Sequence, residues 1–193
     1  MLPFVELWKP GGHGPAPPIP PLPAAQLRRE ITNLPAGQTL FRQGPFDVVL
    51  ARAYQIPALM LEIARVREIA FRLAGEGTGK SYDLDRFDEH YEHLVLWDRE
   101  QCEVAGAYRL ITTGNAMARH GRGGLYTASL FHLSGEFFKA LGPAVELGRS
   151  FVHPAYQRKP HSLLLLWRGI GCYLEFHREC RARAPYGHAG RNA

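Results

Sequence analysis

The sequence predicts an α/β fold, and three observations predict it. Apolar, β-branched or aromatic runs of strand length stand at Phe46–Arg52, His93–Trp97, Val104–Ile111 and Val145–His153. Two longer segments, Pro57–Leu73 and the run opening at Ser162, carry helical character. The last strand passes into its helix through a short basic turn, an arrangement that layers helices on a sheet.

The chain has 193 residues, enough for one domain with an added arm, and its 46% hydrophobic and 21% charged content is that of an ordinary globular protein. A net charge of +5 favours acidic partners mildly. Outside the C-terminal cluster Arg178, Arg181, Arg183 and Arg191, basic and acidic residues alternate, and no nucleic-acid recognition motif is present. Cys102, Cys172 and Cys180 are odd in number, form no CxxC pair and lie at no zinc spacing, which points to a reducing, cytoplasmic setting without a metal. No signal peptide is visible and no apolar run reaches membrane-spanning length.

Taken in order, residues 10–23 are Pro/Gly-dominated and predict an extended or disordered leader. Gln26–Leu34 predicts a short helix, and the boundaries expected are 1–44 for leader and helix, 45–178 for the folded domain and 179–193 for a basic tail. Phe46–Arg52 is the first strand, and Pro57 suits the first position of a helix to Leu73. Leu59, Ile63, Val66, Ile69, Ala70 and Leu73 mark its packed side, leaving Glu62, Arg65, Glu68 and Arg72 toward solvent. Arg67 falls inside the apolar arc near Phe71, as a snorkelling arginine or a buried charge.

Ala74–Ser81, AGEGTGKS, resembles a degenerate phosphate-binding loop, yet a helix precedes it and an acidic stretch follows it, so a glycine connection is the expectation. Asp83, Asp85 and Asp88 in that stretch are solvated loop charges or holders of arginines elsewhere in the fold. His93–Trp97 and Val104–Ile111 predict antiparallel neighbours joined at Asp98–Cys102. His93 and Asp98 have acyltransferase spacing, but five apart on a strand they face opposite sides and form no dyad. Arg109 shares a face with Ala105, Ala107 and Ile111, and the small alanines leave room for a ligand or ion pair.

Residues 114–142 are expected to act as a lid or binding element, with a strand at GLYTASLF and a short helix at SGEFFKAL. In Val145–His153, Glu146 and Arg149 need partners, and Gly148 between them is where a β-bulge is expected. The turn Pro154–His161, with Gln157, Arg158 and Lys159, feeds a helix N-terminus with Ser162 as its cap, a ready anion site. The helix itself is apolar nearly all round apart from Arg168 and Glu175 and is expected to be buried.

This order of elements resembles the GNAT N-acyltransferase fold, which implies a mixed central sheet flanked by helices. Arg67 with Phe71, Asp85 with Asp88, Arg109 in GAYRL, and Glu146 with Arg149 in ELGRSFV are similar to the charged signature of acyl-homoserine-lactone synthases. The wider text EGTGK, DLDRFD, HLVLW, VAGAYRL and ELGRSFVHPAYQR through LLLLWRGI resembles the ornithine-lipid N-acyltransferases and hemolysin-like acyltransferases, over roughly Phe46–His177. Two departures stand out. The turn Gln157–Ser162 lacks the family's glycines, which fits acyl carrier protein as donor, and the chain is expected to lack the family's C-terminal strand and arm, as a truncated or frameshifted product would.

The resemblance implies transfer of a (3-hydroxy)fatty acyl group from acyl-ACP, or acyl-CoA, to an amine, with the α-amino group of ornithine as the expected acceptor. It implies no metal and no tightly bound cofactor. Glu146 is then the water-assisted base or amine holder, with Arg109 and Arg149 beside it, and the bulge amides meet the oxyanion. Arg67, Arg109 and Arg149 form an ion network with Asp85 and Asp88 that shapes the acceptor pocket or only fixes the fold. Gln157, Arg158, Lys159, His161 and Ser162 take the donor phosphate or dock the carrier protein. Partners are therefore acyl carrier protein and an amine, not nucleic acid, for a cytoplasmic chain with room for peripheral contact at the inner membrane face. The rival readings are a homoserine-lactone-type synthase using S-adenosylmethionine, an inactive carrier- or lipid-binding domain, and a nucleotide hydrolase built on the glycine loop.

Overall fold

A computed structural model of the chain describes residues 14–158 and 160–178. Five strands form one sheet in sequence order: β1 Thr39–Gln43, β2 Phe46–Arg52, β3 Glu92–Asp98, β4 Glu103–Thr112 and β5 Val145–Val152. Every pairing among these is antiparallel, and helices flank the sheet as the resemblance implies. The helices are α1 Ala24–Thr32, α2 Pro57–Leu73, α3 Thr113–His120, α4 Thr127–Leu130, α5 Gly135–Leu141 and α6 Pro160–Phe176.

Alternation along the strands divides the core into two layers. Val49, Ala51, Val95, Trp97 and Ala107 pack under α1 and α2, while Val48, Leu94, Leu96, Ala105 and Leu110 pack under α6. Glycine brings α6 onto the sheet, because a Cβ at Gly169 would stand 2.9 Å from Val48 Cγ1 and 3.0 Å from Leu94.

The folded domain begins earlier than position 45. β1 pairs with β2 across a turn in which Gly44 takes a φ of 57°, and Leu27 of α1 is buried in the core. The run TLFRQ is too short and too closely followed by Gly-Pro to read as a strand on its own. Residues 14–23 carry no helix or strand, yet they are strapped down: Ala16 and Ile19 donate to the carbonyls of Gly79 and Ser81 at 2.9 and 3.1 Å, and Leu22 N–H donates to Glu62 at 3.2 Å. The outer side of α2 is therefore covered. Glu62 and Glu68 are buried at 4% and 0% exposure, contrary to the solvent side their spacing predicts, while Leu73 at its end is exposed.

The glycine loop 74–81 closes around that same carboxylate. Thr78 N–H, Thr78 Oγ1 and Gly79 N–H donate to Glu68 at 3.0, 2.7 and 2.9 Å, and Arg72 Nε donates at 2.7 Å. Burial opposes the charge on Glu68, but these donors hold its pKa below the usual range. Loop amides that would cradle a phosphate already hold an anion of the protein's own, which overturns the nucleotide-binding reading.

In the 113–144 connection the strand expected at 124–131 is absent. Those residues form the end of a tight turn and then α4, whereas Gly135–Leu141 is helical as expected, with Ser134 Oγ accepting from Phe137 N–H at 3.1 Å. The bulge in β5 is present and displaced by one residue. Arg109 faces Gly148 and Ala107 faces Phe151, leaving Arg149 and Ser150 against one residue of β4, and Arg149 carries a φ of 49°. A non-glycine residue held there costs about 1–3 kcal/mol, so surrounding contacts must impose it.

Two expectations for the last helix fail. It starts at Pro160, so Ser162 is not its cap but lies buried in its first turn, with no hydrogen-bond partner for its hydroxyl among the described residues. Nor is it buried all round. Leu165, Leu166 and Tyr173 face the sheet, while Leu163, Leu164 and Trp167 are 41%, 58% and 57% exposed.

Candidate active site

At the end of the sheet where β4 finishes and β5 begins, a closed ring of charge sits on the α2 side. Arg67 pairs with Asp83 (3.1 Å) and Asp88 (2.9 Å), and it also donates to the Asp83 carbonyl. Arg109 pairs with Asp88 (3.3 Å) and Asp85 (2.7 Å). Arg149 pairs with Asp85 (3.2 Å) and Asp83 (3.5 Å), which completes the circle. Each arginine thus holds two aspartates and each aspartate two arginines, so the ring is neutral as a whole.

Local structure sets each member. Arg67 comes from the middle of α2 and is 1% exposed, Arg109 comes from β4 and is equally buried, and the positive φ turns Arg149 toward them. Asp85 and Asp88 belong to a turn that they build themselves: Asp88 accepts from Asp85 N–H at 2.9 Å, and Asp85 from Phe87 N–H at 2.8 Å. Burial opposes ionisation of both aspartates, but Arg109 beside Asp85 and Arg67 beside Asp88 hold their carboxyl groups below the usual range. His93, buried behind the ring with Nε2 2.8 Å from the Asp88 carbonyl, has its pKa lowered by burial and is neutral near pH 7. On the opposite side of the sheet Asp98 accepts from Tyr156 Oη at 2.9 Å, so His93 and Asp98 form no dyad, as expected.

Arg109 has spare capacity. Its Nε and Nη2 are buried without hydrogen-bond partners among the described residues, and its guanidinium lies 5.1, 5.2 and 5.5 Å from the ring centroids of Tyr91, Tyr126 and Phe87. Those rings offset the missing acceptors.

Glu146 stands beside the ring rather than in it. Its Oε1 accepts from Tyr91 Oη at 2.6 Å and Tyr126 N–H at 3.0 Å, and Oε2 from Thr127 N–H at 3.2 Å. An ionised carboxylate has about four acceptor positions, so one on Oε2 is left for a proton or a water. Burial and the bond to Glu146 push the Tyr91 hydroxyl well above its ordinary pKa, so it remains a donor. Glu146 therefore also fastens the 125–127 turn over the site.

Of the residues expected here, Arg67, Asp85, Asp88, Arg109, Glu146 and Arg149 converge. Phe71 does not; it packs, half-buried, against the hydrophobic cluster beneath α2. Gln157, Arg158 and His161 lie exposed around the turn into α6, Gln157 Nε2 donating to the Val152 carbonyl at 3.1 Å, and buried Ser162 is not presented with them. Lys159 lies outside the described residues. That turn is at the opposite end of β5 from Glu146, an extended span of about 20 Å.

Asp83, read from the sequence as a possible holder of distant arginines, is the third acid of the ring. Sequence reasoning missed two participants, Tyr91 and Tyr126, which carry no local signal. A cleft of about 670 Å³ opens beside the ring, walled by Pro57, Met60, Leu61 and Leu84 and edged by Asp85, Arg86, Asp88 and Glu89.

An Acetyltransferase (GNAT) domain model matches residues 66–168. The chain is 43% identical over 126 residues to a glycine N(alpha)-acyltransferase of Phocaeicola vulgatus, covering 60% of this chain and 39% of that protein. It is 44% identical over 126 residues to a protein of the same name in Bacteroides thetaiotaomicron, covering 60% and 37%. To an L-ornithine N(alpha)-acyltransferase of Agrobacterium fabrum it is 34% identical over 119 residues, covering 58% and 39%. The matches thus span about two fifths of the length of these three relatives. No solved structure matches significantly.

Proposed function

Because the chain belongs to the GNAT acetyltransferase-domain family, we propose that it is an N-acyltransferase that joins a (3-hydroxy)fatty acyl group to the α-amino group of an amino acid. The observation that carries the reading is the closed Arg–Asp ring holding Arg149 at the bulge beside Glu146. It places a carboxylate with a free acceptor position next to backbone turned out of the ladder, at a site where charge is already balanced.

The neutral amine nitrogen attacks the thioester carbonyl and forms the carbon–nitrogen bond. Glu146 takes the proton the amine gives up, directly or through a water, and passes it to the thiolate as the carbon–sulfur bond breaks, while the bulge amides with the Arg149 charge face the developing oxyanion. Acyl carrier protein is the donor, its acidic surface docking at Arg158 and His161 and its arm running along β5 toward the bulge. The cleft edged by Asp85, Arg86 and Glu89 receives the acceptor, a mixed rim that suits the carboxylate and the side-chain ammonium of ornithine. Glycine is the second reading, favoured by the higher identity to the relatives of that name.

The test is amide formation by the purified chain from 3-hydroxyacyl-ACP with ornithine, glycine or S-adenosylmethionine, followed by mass spectrometry. An amide with one amino acid, reduced about 100-fold or more in Glu146→Gln, is the expected result. No amide with any acceptor, or equal rates in the wild type and Glu146→Gln, would overturn it and leave a carrier-binding domain.

A further inference from the structure

We propose that the outward face of α6 is a docking surface for a lipid bilayer that displays anionic headgroups. This does not depend on the acyl-transfer reading. α6 is the outer layer on its side of the sheet, pressed against β2 and β3 at Gly169. Its sheet-facing side is Ser162, Leu165, Leu166, Gly169 and Tyr173, all buried. Leu163, Leu164 and Trp167 recur three and four apart on the other side at 41%, 58% and 57% exposure, continued by exposed Gly171 and half-buried Leu174. That is one unbroken apolar stripe along the helix, not scattered surface leucines.

Position and charge together select the occupant. A helix lying flat as an outer layer presents its stripe as a plane, the geometry in which amphipathic helices enter a lipid interface. Tryptophan favours that interface because one edge of its ring is apolar and the other wet. None of the described helices is long and apolar enough to cross a membrane, so α6 lies on the surface.

The polar flank is basic. Arg158 is exposed just ahead of α6. Arg168 is exposed along it, stacked 4.1 Å over Phe41 and bonded to Gln43 Oε1 at 2.9 Å. Arg178 follows the helix, and Glu175, 3.0 Å from it, is the sole acid of α6. Such a flank meets anionic headgroups favourably, whereas a second copy of this chain would bring cations against cations.

The experiment is co-sedimentation of the full chain with phosphatidylcholine vesicles with and without phosphatidylglycerol, at low and high salt. Trp167→Glu and Leu164→Glu serve as variants, each checked for native circular dichroism, and analytical ultracentrifugation runs in parallel. Sedimentation with the anionic vesicles that weakens with salt, and weakens about tenfold or more in whichever variant folds, supports the proposal. No sedimentation, sedimentation equal in the variants, or a dimer that either variant dissolves would overturn it, the last in favour of a second copy.

Discussion

α2 and α6 are each 17 residues long and cover opposite faces of one sheet, yet they treat their side chains in opposite ways. α2 buries charge: Glu62, Arg67 and Glu68 are all under 5% exposed. α6 exposes hydrocarbon: Leu164 and Trp167 are both more than half open. The reason is what lies outside each helix. α2 is enclosed by the strap 14–23, the glycine loop and the aspartate turn, and every charge it buries meets donors or acceptors from them. No described element lies over the outer side of α6. A buried charge is tolerable only where its partners arrive from elsewhere in the chain, so the two faces differ in neighbours as much as in composition.

The largest loss is expected at the ring. Asp88→Ala leaves Arg67 with only Asp83, and Arg109 with only Asp85, at 1% exposure each. Removing one partner of a buried pair costs about 3–5 kcal/mol, because the remaining charge cannot reach water. An unfolding free energy lowered by that amount in urea titration is expected; a loss under about 1 kcal/mol would mean that solvent reaches the ring and that α2 is not enclosed.

How far this contrast could be read from the residues depends on range. The boundaries of α2, β2 and β4 follow from spacing within a short window, and so does the bulge, because Glu146 and Arg149 cannot share a face without one. The convergence of Arg67, Asp85, Asp88, Arg109 and Arg149 came through resemblance, since nothing local joins positions 82 residues apart. The burial of Glu62 and Glu68 was not legible, because the covering strap looks like linker by composition. Tyr91 and Tyr126 were missed for the same reason: their partner Glu146 is distant in sequence. Periodicity says which side of a helix is apolar; it does not say what covers the other side.

Acid should have an intermediate effect, on the α2 side alone. His93 has a folded pKa below its unfolded value, as do Glu68, Asp85 and Asp88. For such groups the unfolded chain binds more protons between the two values, so stability rises with pH there. The share from His93 is complete above about pH 6.5 and is lost as pH falls below it, and the share from the carboxylates is lost as pH falls below about 4. Thermal unfolding followed from pH 8 to pH 3 should show a shallow decline and then a steeper one. Arg67→Met together with Asp88→Asn should flatten the steeper limb, and an unchanged limb would place the acid sensitivity outside the ring.

The smallest effect belongs to α6. Leu164 is 58% exposed and Trp167 57%, so each keeps most of its solvent contact in the folded chain and gains little by folding. Leu164→Gln and Trp167→Gln also remove no partner of a buried polar group. Each should therefore lower the unfolding free energy read from urea titration by no more than about 0.5 kcal/mol, with the slope of the transition unchanged. The same substitutions on the sheet-facing side, Leu166→Gln for example, insert an amide where exposure is 0% and should cost several times more. A loss of about 2 kcal/mol or more at Leu164, the value of a well-packed leucine, would show that the stripe is covered in solution by part of the chain itself. The bilayer would then have no face on which to sit.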